Sequence, residues 1–330
     1  MARLVVCGAI NWDISCFVEQ LPRPGEEVTI KLITRVSGGT GGNIAVAAAR
    51  ILGAKEVALI GALGKDDIAR QQIAALEDEG VITEGIDQIV GEESGQAYIL
   101  VDQTGENVIA SYLGANAKLG IKQLNKPQIK QQLQECRGIV LTDPNLEVAE
   151  ELIKLAKQRN IPVLWDPGIL IGPNREALQS LAKKAEVLLL NETEASALLG
   201  VSESNMSLQK LKELGFSNHT VLKLGAQGAA VLEPASDMVT QIPALPLEKL
   251  GLNVINTVGC GDVFAGVFAA YYINQSSLVQ SLIMASVAAG FNATRPETRG
   301  SPDRVTLEAM ERRCHDLGFT VQEYRSSKDC

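Results

Sequence analysis

The sequence predicts an α/β fold: a three-layer α/β/α body with a central, mainly parallel sheet and a small projecting β-sheet lid. Three observations carry this. Short apolar runs alternate with helix-period segments along most of the 330 residues. Those runs are continuous rather than alternating, as in strands buried on both faces. Two stretches, at about 14–34 and 93–112, alternate apolar and polar residues instead, as in strands with one wet face.

Leu4-Val5-Val6-Cys7 reads as the first buried strand. Val57–Ile60, Gly138–Leu141, Pro162–Trp165, Val187–Leu190 and Val221–Leu224 follow in the same style. Helical spacing fills 43–52, 67–79, 147–158 and 192–199 between them. Such alternation implies a parallel sheet covered on both faces, with ligands at the carboxyl ends of its strands. In the exceptional stretches, Val28-Thr29-Ile30-Lys31-Leu32 and Gln96–Val101 read as half-exposed strands. The second turns at Asp102-Gln103-Thr104-Gly105 into Asn107–Ala110, a hairpin signal. A small sheet of this kind serves as a lid, a dimer interface or both. With no repeat, low-complexity tract or Gly/Ser-rich linker, residues 1–330 are expected to form one domain. The competing architecture is two domains split near residue 120. Residues 326–329 are expected to fray.

Hydrophobic residues make up 46% and charged residues 21%, an ordinary globular balance. The formal charge of −9 and the lack of a Lys/Arg cluster argue against a nucleic-acid partner. No apolar stretch reaches membrane-spanning length, and the opening residues run straight into a strand pattern, so a cytoplasmic protein with no membrane contact is expected. The six cysteines, at 7, 16, 136, 260, 314 and 330, form no CxxC pair, and free buried thiols are expected. His219 and His315 lack ligand spacing, and there is no GxSxG elbow, so histidine-activated nucleophilic chemistry is not expected.

Four stretches carry candidate chemistry. In Asn256-Thr-Val-Gly-Cys-Gly-Asp262, Gly259 and Gly261 free the backbone to curl several N–H groups around one point, and a helix begins there. That is an anion hole suited to a transferring phosphoryl group. Asp262, in the first turn, can accept the proton of an attacking hydroxyl; the plainer alternative is an aspartate that only caps a core helix. Ser37-Gly-Gly-Thr-Gly-Gly-Asn43 leads into an Ala-rich helix, which suits either a ligand against the backbone or a turn before a close-packed helix. It is neither a Walker A loop nor a GxGxxG fingerprint. Asn191-Glu-Thr-Glu194 follows a strand, with Asn191 and Glu194 on one helix face. That suits a hydrated Mg²⁺ beside phosphate, or an ordinary N-cap. Lys223-Leu-Gly-Ala-Gln-Gly228 runs a strand into a tight turn at the same sheet edge.

In order and spacing these stretches resemble the ribokinase-like sugar kinases of the PfkB family. Residues 38–43 resemble the family's N-terminal signature and 256–262 its C-terminal Asp-Thr-x-Gly-Ala-Gly-Asp. Asn191-x-x-Glu194 and Gly225-x-x-Gly228 match two further motifs, and the likeness covers about residues 3 to 300. Gly8–Asp13 and Ser94–Leu119 resemble the ribokinases within that family. The resemblance implies that Asn11, Asp13, Gly38, Gly39, Asn43 and Asp143 contact the sugar. Lys223, Gly225 and Gly228 would lie along the nucleotide with Asn191, and Glu194 would organise Mg²⁺ through water. Gly259, Cys260 and Gly261 would form the anion hole, with Asp262 as base. It further implies ATP as phosphoryl donor, with ADP the alternative, and transfer to a primary hydroxyl of a pentose. Ribose is the first expectation; a nucleoside or ribose 1-phosphate is the alternative, and a non-catalytic sensor the rival class. The lid strands themselves, with a second face and exposed edges, lead to the expectation of a homodimer through the lid. Four positions depart from the pattern: Asn256 for Asp, Cys260 for Ala, Thr40 for Lys, and a large Trp12. The first leaves activation by a monovalent cation open; Thr40 and Trp12 border the sugar site and leave room for another acceptor.

Overall fold

The computed structural model describes residues 2–104, 106–143, 145–168, 175–200 and 208–325. Its strands are β1 Leu4–Cys7, β2 Asn11–Phe17, β3 Leu32–Gly38, β4 Val57–Gly64, β5 Ile86–Ile89, β6 Gly95–Val101 and β7 Asn107–Tyr112. The later ones are β8 Gly138–Thr142, β9 Val163–Asp166, β10 Val187–Asn191, β11 His219–Lys223, β12 Ala229–Glu233, β13 Met238–Ile242 and β14 Gln322–Arg325. Helices α1 Thr40–Leu52, α2 Asp67–Asp78, α3 Ile121–Leu124, α4 Pro127–Glu135, α5 Leu146–Arg159 and α6 Arg175–Ala182 come first. They are followed by α7 Glu192–Leu199, α8 Leu208–Glu213, α9 Cys260–Ile273, α10 Leu278–Ala293 and α11 Arg304–Asp316.

Ten strands form one sheet in the order β14-β13-β12-β11-β10-β9-β8-β1-β4-β5. From β5 to β11 every neighbour is parallel, and β12 to β14 add antiparallel strands at one edge. All six expected buried strands are present within this sheet. Alternate residues of each strand feed two cores, as period-2 geometry demands. Leu4, Val6, Leu59, Val140 and Leu189 face α1, α9 and α10; Val5, Cys7, Ile60, Ile139 and Leu188 face the α5 side. The three-layer expectation therefore holds. The antiparallel edge was not expected, because β12 and β13 are short runs with no helix between them to mark a crossover.

The second sheet has the order β3-β2-β6-β7. It matches the expected appendage but not its bounds. Val28 to Ile30 lie outside any strand, and β3 begins at Leu32 and runs to Gly38. Pro22 and Pro24 supply no backbone donor, and Glu26 N closes a turn on Arg23 O, so pairing with β2 resumes only later. The β6–β7 hairpin forms as expected, with the Asp102 carboxylate accepting from Thr104 N at 2.8 Å and Glu106 N at 3.1 Å. Gly105 and residues 326–329 lie outside the described residues.

One contact sets up the site. Helix α9 is apolar on all sides, and Phe268 is fully buried, worth roughly 1.5–3 kcal/mol. It packs on α1 through Gly266, where an added Cβ would lie 2.5 Å from Ile44 O. That close approach brings Asn43, at the start of α1, beside Asp262 at the start of α9.

Candidate active site

Helix α9 opens at Gly259, whose φ of 79° is left-handed. A Cβ there would sit 2.3 Å from Thr298 O, so both backbone conformation and space require glycine. Without a side chain, Gly259 gives α9 no capping hydrogen bond, whereas Asp66, Asn145, Asn191, Ser277 and Asp303 cap α2, α5, α7, α10 and α11. Gly259 thus supplies no side-chain acceptor to the first-turn N–H groups of Gly261 and Asp262. Gly261 itself does not have a positive φ, and its added Cβ would meet only Lys223 Nζ at 3.6 Å. Cys260 is half-buried, and its Sγ accepts from Asn292 Nδ2 at 3.4 Å.

Asp262 extends from this terminus, half-buried, and its Oδ2 accepts from Asn43 Nδ2 at 2.7 Å. Burial pushes its carboxyl up to about 7; the Asn43 hydrogen bond opposes, Asp166 and Asp143 add to the rise, and Lys223 subtracts. A helix N-terminus alone would hold the carboxylate low, and here desolvation outweighs it.

At the carboxyl edge of the sheet, Lys223 ends β11 and lies 2.6 Å from Asp166 Oδ2 and 3.8 Å from Glu194 Oε2. Burial alone would lower its pKa, but Asp166 and Glu194 raise it above the ordinary value and keep it charged. Asn191 and Glu194 form a reciprocal capping box at the start of α7: Glu194 N donates to Asn191 Oδ1 at 2.7 Å and Asn191 N to Glu194 Oε2 at 2.8 Å. The plain N-cap reading is thus correct as structure. Glu194 Oε1 takes no part in the box. Burial raises the Glu194 pKa, and Asp166 adds to it. Gly225 opens the turn after β11 with nothing within 4 Å of an added Cβ, whereas Gly228 is packed 2.0 Å from Ile242 O by the same measure. Gly228 is explained by packing.

At the other end of the site, Asp13 on β2 is buried, and its carboxylate lies over Gly38, where a Cβ would fall 2.0 Å from Oδ2. Burial raises its pKa to about 6, opposed by Arg299 and a hydrogen bond from the Gly39 backbone. Gly39, the N-cap of α1, approaches Asn11 N to 2.4 Å by the same Cβ measure, and Ala9 O accepts from Gly41 N and Gly42 N. The glycine run therefore serves close packing, and the α1 terminus is already satisfied. Asn11 Oδ1 accepts from Asn116 Nδ2 at 2.9 Å. Asp143, after β8, has a φ of 52°, uncommon for a non-glycine residue, with its carboxylate against Gly168.

The structure thus joins Asn43 and Asp262 directly, puts Lys223, Glu194 and Asp143 around them, and sets Asp13, Gly38, Gly39 and Asn11 alongside. Three participants escaped the sequence reading. Asp166 ends a buried strand before a proline, a visible signal for a carboxylate at the ligand edge. Asn116 lies within a stretch already singled out. Arg299 sits in a turn-rich segment with no periodicity to expose it. Its guanidinium donates to Asn43 Oδ1 at 2.8 Å, Ser37 Oγ at 2.6 Å and Gly38 O at 3.1 Å. Burial lowers its pKa to about 10, with Asp13 acting in the opposite direction.

Among the described residues, Cys7, Cys16, Cys136, Cys260 and Cys314 are free, and no helix is long and apolar enough to cross a membrane. No group of three or more His, Cys, Asp or Glu among them is arranged to hold a metal ion.

A covered parallel sheet with a small second sheet and an uncapped helix terminus at its ligand edge defines a class, and the comparisons give the class its family. The model of the pfkB family carbohydrate kinases matches residues 1–304. The chain belongs to that family and is a sugar kinase of ribokinase-like fold. It is 27% identical over 311 residues to the ATP-dependent ribose-1-phosphate kinase of Halopiger xanaduensis, covering 94% of this chain and 98% of that protein. The ribokinase of Haemophilus influenzae is 29% identical over 314 residues, 93% of this chain and 98% of its own. The structure of Arabidopsis thaliana ribokinase complexed with ribose and ATP superposes with a TM-score of 0.82 at 26% identity, covering 94% of this chain and 99% of that one.

Proposed function

We propose that the protein transfers the γ-phosphoryl group of ATP to a primary hydroxyl of a pentose, with ribose as acceptor and ribose 5-phosphate as product. The observation that carries this reading is Asp262: a carboxylate poised near neutrality beside the uncapped N–H groups of α9. As the acceptor oxygen bonds to phosphorus, its O–H bond breaks and the proton passes to Asp262. The bond from the γ-phosphorus to the bridging oxygen breaks, and its electrons leave with ADP. Gly259 keeps the α9 terminus open, and the N–H groups of Gly261 and Asp262 face the charge that spreads over the phosphoryl oxygens. Asp13, with Asn11 and Asp143, orients the sugar hydroxyls over Gly38 and Gly39. Asn43 holds Asp262 in place.

Lys223 lies between Asp166 and Glu194 next to the nucleotide side, where Gly225 leaves the turn open. Mg²⁺ fits this donor set: a cation that keeps water and phosphate ligands needs one or two carboxylates rather than a full protein cage. Glu194, through water, with Asn191 beside it, would hold it there, and it would neutralise phosphate charge. Asn256 donates to Pro296 O at 3.0 Å and accepts from Val258 N at 3.0 Å, tying its loop to the segment at Pro296.

Ribose 1-phosphate is the second reading, favoured by the Halopiger relative and by the half-buried Trp12 and Thr40 at the acceptor end. A screen of ribose, deoxyribose, ribose 1-phosphate and nucleosides against ATP and ADP, reading phosphate transfer, tests both. Turnover of ribose with ATP supports the first reading. Tight binding without turnover of any acceptor would instead make the protein a sensor.

We also propose a homodimer through the small sheet. Its residues Tyr98, Val108 and Tyr112 on one face, and Leu32 and Ile109 on the other, are 43–57% exposed, apolar surface that a monomer seldom leaves bare. Sedimentation should give twice the chain mass, and Ile109→Lys should give the monomer. The single-domain reading is supported by β1 of the N-terminal half pairing with β8 of the C-terminal half. Limited proteolysis that released two separately folded halves would contradict it.

A further inference from the structure

We propose that Arg299 is a positioning residue: it fixes the side-chain amide of Asn43, and through that amide the carboxylate of Asp262. The inference rests on the reading of Asp262 as base. A guanidinium can only donate, so the Asn43 atom that faces Arg299 Nε at 2.8 Å must be the carbonyl Oδ1. The other end of the same amide is then Nδ2, and it must donate to Asp262 Oδ2, as found at 2.7 Å. Arg299 thus decides which way round the amide sits. Reversed, Asn43 would present Oδ1 to the carboxylate, oxygen against oxygen, and the base would turn away from the acceptor.

The surroundings are built for this. The guanidinium also bonds Ser37 Oγ and Gly38 O, so its fork spans three acceptors around the start of α1. Gly42 leaves room for it, since a Cβ there would lie 2.6 Å from Nη2. Its own backbone is pinned from α1, with Arg50 Nη1 donating to Arg299 O and to Ser301 O at 2.7 Å each. Asn43 is only 4% exposed, so water offers its amide little competition. Among the described residues no carboxylate makes a hydrogen bond to Arg299, whose fork goes to neutral acceptors.

The test is a double-mutant cycle on turnover with the full-length protein, ribose and ATP. Arg299→Gln should lower kcat about 10- to 100-fold, the scale of a misplaced reacting group, with KM for ATP changed less than about twofold. In an Asn43→Ala background the same change should cost less than about threefold, because the amide through which it acts is gone. Multiplying effects would overturn the proposal. Arg299→Lys keeps the charge, but its three donors radiate from one nitrogen and cannot span the acceptors that Nε, Nη1 and Nη2 reach, so its kcat should stay low; full activity would also overturn it. The acid limb of kcat against pH separates charge from geometry. The groups facing Asp262 are Asp166, Lys223, Asp143, Asn43, Cys260 and Arg299; those facing Arg299 are Asp13, Glu79, Arg50 and Asp262. Arg299→Lys should leave the limb near its normal place, and Arg299→Gln should move it to higher pH. If Arg299→Gln fails to fold, the lysine variant still decides. Asp262→Asn, assayed in parallel, reports on the base reading separately: near-normal turnover there sinks that reading, whatever the cycle shows.

Discussion

Asp262→Asn should make the protein more stable at pH 8, although it removes a negative charge from a helix start. The carboxyl is raised from 3.8 to about 7 by burial, with Asp166 and Asp143 adding to the rise. A carboxyl whose folded value exceeds its unfolded value binds its proton more tightly when folded, so stability falls as pH rises from about 4 to 7 and stays low above that. A difference of roughly 3 units at about 1.36 kcal/mol each gives a penalty of about 4 kcal/mol at pH 8. By pH 5 the same relation leaves about 2 kcal/mol. The amide carries no charge and still offers an oxygen to Asn43 Nδ2, so it escapes the penalty while keeping the bond. Urea unfolding of both proteins at pH 8 and pH 5 measures the gap. A variant less stable than the parent at pH 8, or a gap independent of pH, would refute the reasoning and favour the simple capping role.

Three further expectations follow from the same geometry. Because only ionised Asp262 can accept a proton, kcat should rise about tenfold per pH unit below pH 7 and level off above it; a profile flat from pH 5.5 to 8 would contradict this. Gly38→Ala puts a methyl group where the Asp13 carboxylate lies, 2.0 Å from Oδ2. It should raise KM for the sugar at least about tenfold and cost about 1–3 kcal/mol of stability, leaving KM for ATP nearly unchanged, as steady-state kinetics on each substrate would show. Gly266→Ala should part α1 and α9 at Ile44 O, lengthening the Asn43–Asp262 contact. A fall in kcat of about tenfold or more with little change in either KM is expected, and unchanged turnover would mean that helix spacing does not set the base.

Much of this was legible in the sequence because it rests on local pattern. Continuous apolar runs such as Val187–Leu190 betray strands buried on both faces, and the glycines around Cys260 betray a helix start without a cap. The bounds of the small sheet were less legible, since alternation in Val28–Leu32 looks like a strand whether or not a partner is in reach. The prolines at 22 and 24 decide that question through pairing, which is not a local property. The site showed the same division. Asn43 and Asp262 were visible singly, but their hydrogen bond depends on Gly266, which reads as an ordinary small residue in an apolar helix. Arg299 was invisible for a related reason: its role comes from folding a turn against α1 across 256 residues of chain. The expected base strength of Asp262 also needed the structure. A helix terminus argues for a weak base, and only the burial of the carboxyl, with Asp166 and Asp143 adding to it, shows why its pKa rises to about 7.

The central claim is that Asp262 takes the proton in phosphoryl transfer to a pentose hydroxyl. The most direct measurement is the single-turnover rate of phosphate transfer from γ-labelled ATP to ribose by the parent protein and by Asp262→Asn, with both substrates saturating. The rate in the variant should be lower by about 10²–10⁴-fold, with little change in the affinity for either substrate. A variant that transfers phosphate to ribose at close to the parent rate would contradict it.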